Sequence, residues 1–321
     1  MARPLLGCVG GGVTPHDRDG HPCSIDGPSN LNDATQGPCE TPSVVTVQLH
    51  VQHDVVDPEA IDVWVDCFVG DAPVRFRLDT GAWRCRVATS DATRDLPSSG
   101  VDKGVGASGT GLGEDLVAIP LLRIGDLDIV DVAATRTPGD ADVSQLLGMS
   151  ALGRFRCLFR FSTGHMEVAH TDPIGTDNWF ELSVHAAGQP TVAVCFDDVE
   201  VVACWDTGAG LTAVDTEFAR AHSNLFEPVR DAIGVDASGV HMPTHIARMK
   251  ACTIGGIPFA PGACAFVDLG PLNAALQQRA LEEQRVIQPM SFILGMPVIS
   301  QADWTFDFPA GRWTLAQLRP G

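Results

Sequence analysis

The chain has 321 residues, 45% hydrophobic and 19% charged, with 21 Lys+Arg against 40 Asp+Glu and a formal charge of −19. That length accommodates two domains and a large apolar core, and the composition is too apolar for a disordered chain. A chain this acidic lacks the basic face that nucleic acids and anionic membranes require, no apolar run is long enough for a transmembrane segment, and the absence of tyrosine excludes any mechanism that needs a phenol.

Residues 1–43, rich in Gly, Pro, Asp and small polar side chains, read as an irregular or disordered leader. Leu5-Leu6-Gly7-Cys8 resembles a bacterial lipoprotein cleavage box, but the four residues before it cannot supply the charged and apolar regions of a signal peptide. The sequence as it stands reads as cytoplasmic; a start truncated before Cys8 would make it periplasmic or lipid-anchored. His16, Asp17, Asp19, His21 and Cys23 hold metal-ligating atoms, and a polar leader accounts for them without a metal.

Beyond the leader the pattern is β. Val45, Val47, Leu49 and Val51 alternate with polar residues at a period of two. Residues 63–69 and 74–78 form apolar runs around Gly70-Asp71-Ala72-Pro73, a hairpin that ends at Asp79. Residues 171–178 read as a linker between a first half, 44–170, and a second half, 179–321. In the second half residues 192–196 and 199–205 form the same hairpin around Asp197-Asp198, ending at Asp206. Helical signals cover 216–222 and 272–285, the latter a short amphipathic surface helix. Cys67, Cys195 and Cys204 lie in β-patterned apolar runs and read as small reduced hydrophobes. Cys252 and Cys264 flank residues 254–262, and the sequence leaves open whether they meet across a hairpin as a disulfide or stay reduced.

The chain repeats itself. Asp79-Thr80-Gly81-Ala82 recurs as Asp206-Thr207-Gly208-Ala209, 127 residues on, and Gly104-Val105-Gly106-Ala107-Ser108-Gly109 recurs as Gly234-Val235-Asp236-Ala237-Ser238-Gly239, 130 on. Residues 146–169 align without a gap to 293–316, and seven of the 24 positions are identical. Three blocks in one order mean duplication.

A buried carboxylate at a strand end is costly unless it is satisfied. Glycine lets backbone N–H groups approach it, and threonine can brace the turn. One such site is readable as a structural turn. Two copies in a duplicated chain can be brought together by a pseudo-twofold axis, and two carboxyls a few ångströms apart share one proton. The ionised one takes a proton from water while the protonated one polarises a carbonyl, which is hydrolysis without a covalent intermediate, cofactor or metal.

At these residues both halves resemble the retropepsin-like aspartic peptidases, including bacterial members. The matching segments are Leu78-Asp79-Thr80-Gly81-Ala82, residues 119–125, Leu146-Leu147-Gly148, residues 205–214, Thr253-Ile254-Gly255-Gly256 and Ile293-Leu294-Gly295. The resemblance implies an all-β fold with a few short helices, made of two homologous β-barrel lobes related by a pseudo-twofold. It implies Asp79 and Asp206 as the catalytic pair, Thr80, Gly81, Thr207 and Gly208 as support for the two loops, and the apolar-apolar-Gly segments packed beneath them. Departures are the missing pepsin-type flap tyrosine, the bulky Trp205 before the second aspartate, and Ala82-Trp83-Arg84-Cys85 after the first; Ala82 and Ala209 stand where a pepsin-like site could place a hydroxyl, and retropepsin-like enzymes with Ala there imply a pair that holds its proton to higher pH.

Residues 104–109 literally fit G-x-G-x-x-G, but they open no helix and the copy has Asp236 at the second glycine, so a dinucleotide site is rejected. Gly104, Val105, Gly106, Gly234, Val235 and Asp236 read instead as mobile flaps that bind substrate, with ordinary surface loops as the bland alternative. Pro243 between His241 and His245, with no Glu after His241, rules out a zincin motif. Trp83, Trp205, Trp304 and Trp313 read as core or interface anchors. The expectation is a monomeric aspartic endopeptidase acting on a peptide or protein substrate; the alternative is a non-hydrolytic peptide-binding module.

Overall fold

The computed structural model describes residues 44–102, 104–111, 113–139, 144–169, 178–185 and 187–316, together with the backbone of 4–6. The suggested metal ligands at 16–23 and the linker residues 171–177 lie outside the described residues. Strands dominate, with four short α-helices among the described residues, so the chain is mostly β.

Each half is built on the expected hairpin. In Ile61–Val69 the side chains of Val63, Val65, Cys67 and Val69 alternate into the core, and the strand pairs with Ala72–Leu78 in antiparallel register, Val65 opposite Phe76. The two-residue connection places Gly70 at φ +58°, a left-handed conformation open to glycine. In the second half Pro190–Phe196 pairs with Val199–Trp205, and Asp197 takes the left-handed position at φ +36°, which aspartate tolerates.

Across the first sheet the order is Ile61–Val69, Ala72–Leu78, Leu146–Leu147, Cys85–Ala88, Leu127–Thr137, Glu114–Ile124, Gly100–Asp102. Across the second it is Pro190–Phe196, Val199–Trp205, Phe292–Leu294, Thr212–Asp215, Gly262–Val267, His241–Met249, Phe226–Asp236. These seven strands correspond one for one; His50–His53 on Ile61–Val69 extends the first sheet, and Pro4–Leu6 on Phe226–Asp236 and Ser183–Val184 on Pro190–Phe196 extend the second. The additional pairing of Ile61–Val69 with Glu114–Ile124 has its counterpart in Cys252–Ile254 on Pro190–Phe196.

A third sheet draws on both halves, in the order Phe180–Glu181, Arg312–Leu315, Trp304–Asp307, Arg156–Arg160, His165–Ala169, Val45–Gln48. At its centre Leu158 lies opposite Thr305, its own repeat counterpart 147 residues on. The two halves therefore share a sheet, and they share a core too: Phe159 of the first half lies 5.2 Å from Trp205 of the second, which also meets Trp304 and Phe306. Trp205, Trp304 and Trp313 are buried there, and Trp83 is half-buried against the same core.

Several expectations need correction. The alternating run 45–51 is two strands, Val45–Gln48 in the shared sheet and His50–His53 against Ile61–Val69; the chain passes between them at buried Leu49. Pro4–Leu6, inside the expected irregular leader, forms a strand parallel to Val235–Asp236. Cys252 and Cys264 are free thiols, because Phe259, not Cys264, faces Cys252 across the hairpin. Burial pushes both thiols up to about 12. Helix Thr216–Ala221 is capped by Asp215, and Gly270–Glu282 starts two residues earlier than its apolar spacing suggests, led by Pro271. No helix among the described residues is long and apolar enough to cross a membrane.

Candidate active site

The two aspartates sit where the hairpins run out. Leu78 and Trp205 are the last strand residues, paired in parallel with Leu147 and Leu294. Those leucine carbonyls accept the backbone N–H of Asp79 (3.1 Å) and of Asp206 (3.0 Å). Gly148 and Gly295 lie directly beneath the loops, and a Cβ on either would come within 2.4 Å of a carbonyl oxygen, of Arg84 or Leu211. Only glycine lets the backbones approach this closely.

The two loops meet reciprocally. Thr80 N–H donates to Thr207 Oγ1 and Thr207 N–H donates to Thr80 Oγ1, both at 3.1 Å, and Thr80 Oγ1 donates to the Trp205 carbonyl at 2.8 Å. Trp205, bulky for its position, thus anchors the loop from below through its ring and serves the opposite loop through its carbonyl.

Asp79 and Asp206 are 1% and 2% exposed. Asp206 Oδ1 accepts from Gly208 N (2.7 Å) and, across the interface, from Gly81 N (3.1 Å). Asp79 Oδ1 accepts from Ala82 N at 2.9 Å. Each carboxyl lies on the glycine of the other loop: a Cβ on Gly81 would fall 2.4 Å from Asp206 Oδ2, and one on Gly208 would fall 2.4 Å from Asp79 Cγ. Burial first, and the neighbouring Asp79 charge second, raise the Asp206 carboxyl well above the usual range. The Gly208 and Gly81 N–H groups and the Arg77 guanidinium oppose that rise. One carboxyl that keeps its proton beside another with an N–H donor is the combination general acid–base chemistry uses.

Behind the loops stand residues that sequence reasoning missed. Arg77, 3% exposed, binds Asp62, and its guanidinium reaches Gly210 in the second half, whose carbonyl accepts from Ile61 N at 3.0 Å. Fully buried Gln189 donates from Nε2 to the Gly81 carbonyl at 3.1 Å. The signal was available at Arg77, a cation in an otherwise apolar strand end two residues before the motif; Gln189 carried none.

The six flap candidates separate. Gly106 and Asp236 meet, Val235 is buried, Val105 packs against the apolar cluster that includes Ala107 and Leu211, and Gly104 faces open space. Gly234 lies within the strand Phe226–Asp236. The two turns are congruent: Gly106 N–H donates to Thr110 O and Asp236 N–H to Val240 O, while Gly109 and Gly239 adopt φ of +74° and +83°. Among the described residues no cluster of three His, Cys, Asp or Glu is placed to hold a metal. Comparison of the chain with family models and with curated proteins finds no match.

Proposed function

We propose that the protein is an aspartic endopeptidase with two retropepsin-like lobes related by a pseudo-twofold axis. The observation that carries the reading is the reciprocal junction of the two Asp-Thr-Gly loops, with each carboxyl seated on the other loop's glycine and Gly81 N–H bonded to Asp206. The matching strand orders and the Leu158–Thr305 pairing support the twofold.

In this reading a water between the carboxyls gives a proton to the ionised one, and its oxygen bonds to the peptide carbonyl carbon. The protonated carboxyl gives its proton to the carbonyl oxygen. The resulting diol collapses as the C–N bond breaks, one carboxyl giving its proton to the leaving nitrogen and the ionised one taking a diol proton, which leaves a carboxylic acid, an amine and the pair with its single proton. The buried Thr80–Thr207 brace fixes the distance on which both transfers depend. The substrate is an extended peptide held by strand-like backbone pairing.

Cleavage of casein by the full chain, lost in Asp79→Asn and in Asp206→Asn with the fold intact, is the expected result. Undiminished cleavage in either variant removes the dyad from the mechanism. Peptide binding without turnover by the parent protein would instead favour the non-hydrolytic module.

A further inference from the structure

The two Gly-rich turns end on a single carboxylate. Asp236 has no solvent exposure and accepts five hydrogen bonds. Three come from its own turn, onto Oδ1: Ser238 N (2.9 Å), Ser238 Oγ (2.6 Å) and Val240 N (3.0 Å). Two come from the other turn, onto Oδ2: Ser108 N (3.0 Å) and Ser108 Oγ (2.6 Å). Ser108 and Ser238 are repeat counterparts, so each oxygen is held by the same pair of groups from a different half.

The pairing requires the turns to differ at one position. Two aspartates would bring two carboxylates together, and two glycines would leave five convergent donors without this acceptor. The sequence places Asp at 236 and Gly at its counterpart 106, where a Cβ would lie 2.2 Å from Asp236 Oδ2. Gly106 is the socket and Asp236 the plug.

The two sides are not held equally. Arg86 Nη1, itself 5% exposed, donates to the Ala237 carbonyl at 2.8 Å and ties the second turn to the first-half sheet. Beyond Asp236 the first turn meets the second half through apolar packing, with Gly109 against Pro271 and with Val105 and buried Ala107 on the cluster that holds Leu211 and Leu272, and among the described residues no charged group ties it there as Arg86 ties the second. Parting the turns at Ser108 breaks two hydrogen bonds and frees Ser108 for water, while Asp236 keeps three donors. Parting them by moving the second turn would break the Arg86 bond as well.

We propose that Asp236 is a positioning residue that clasps the two turns shut, and that they separate by release of Ser108 with the second turn left in place. The inference rests on the peptidase reading only for what the clasp guards; the clasp itself is testable without activity. Amide hydrogen exchange in the full chain should show segment 106–110 exchanging roughly tenfold faster in Ser108→Ala, with Ser238 and Val240 unchanged. In Asp236→Gly, which gives the second turn its counterpart's residue, both 106–110 and 238–240 should lose protection. Asp79→Asn should leave both segments as in the parent. Unaltered exchange of 106–110 in Ser108→Ala and in Asp236→Gly would overturn the clasp. Equal loosening of both turns in Ser108→Ala would overturn the order of opening. Casein cleavage by the parent chain, followed in parallel, tests the dyad, so a parent that hydrolyses nothing while the variants show the expected exchange keeps the clasp and loses the peptidase.

Discussion

Gly208→Ala is the sharpest perturbation the candidate site offers. Gly208 is outside the left-handed region, so the backbone accepts alanine and the effect is purely steric. The new Cβ would lie 2.4 Å from Asp79 Cγ, 2.5 Å from Oδ1 and 2.7 Å from Oδ2, where ordinary contact begins near 3.4 Å. About 1 Å must be found, and Asp79 is poorly placed to yield it: its backbone N–H is tied to Leu147 O and its carboxyl to Ala82 N, in a site 1% exposed. Overpacking of this kind costs about 1–3 kcal/mol. A 1 Å displacement of a reacting group costs on the order of 100-fold in rate. Urea denaturation should therefore show a modest loss of stability, and kcat/KM on a peptide substrate should fall by about two orders of magnitude, far more than the folded fraction explains. Gly81→Ala, which crowds Asp206 at 2.4–2.6 Å, should behave alike. Parental kcat/KM in either folded variant would refute the argument that both carboxyls react from these positions.

Asp206→Asn should raise Tm near neutral pH while abolishing cleavage. A carboxyl that holds its proton above its ordinary value near 3.8 favours the fold fully below that pH and loses the contribution as pH rises through its folded value, each tenfold in proton affinity being about 1.4 kcal/mol; a Tm gain that is larger in strong acid would contradict the sign. The Ala82→Ser/Ala209→Ser double variant adds hydroxyl donors beside the buried carboxyls, and the acidic limb of its kcat/KM profile should move to lower pH at fixed ionic strength; a stationary limb would show that missing hydroxyls do not set the titration. Because one chain holds both loops, activity per chain should stay constant on dilution through the nanomolar range, and a loss recovered on concentrating would mean that the site is assembled between chains.

The hairpins, the duplicated loops and the glycines beneath them were legible because each leaves a local mark: alternation of period two, a motif repeated in order, a glycine where backbones meet. The shared sheet was not. Strands 156–160 and 304–307 carry aromatic and apolar residues that any buried strand would, and nothing local says that the partner of Leu158 is its own copy. The break at Leu49 was also hidden, since alternation runs unbroken while the strand changes sheets. Register decides the question left open at Cys252 and Cys264: the Gly255–Gly256 turn pairs Cys252 with Phe259 and leaves Cys264 on the next strand. Asp236 was readable as an odd residue in a repeated turn, but its partner Ser108 lies in the identical part of the repeat, where identity conceals a division of labour.

A symmetric dimer of identical halves must present each contact twice; a duplicated chain is free to split them. The register equates Arg77 with Cys204 and Asp62 with Gln189. On one side the pair is a buried ion pair reaching Gly210 in the loop of Asp206. On the other it is a neutral amide bonded to the Gly81 carbonyl and a thiol that burial keeps protonated. The same exchange occurs in bulk, since Trp83 covers Gly188 while their counterparts are Gly210 against Ile61. It recurs in the turns, where Asp236 fills the space over Gly106. A buried cation on one side alone makes the two carboxyls chemically unequal before any substrate arrives. Two loops copied from one ancestor can then hold different shares of one proton, because the residues behind them have diverged while the loops have not.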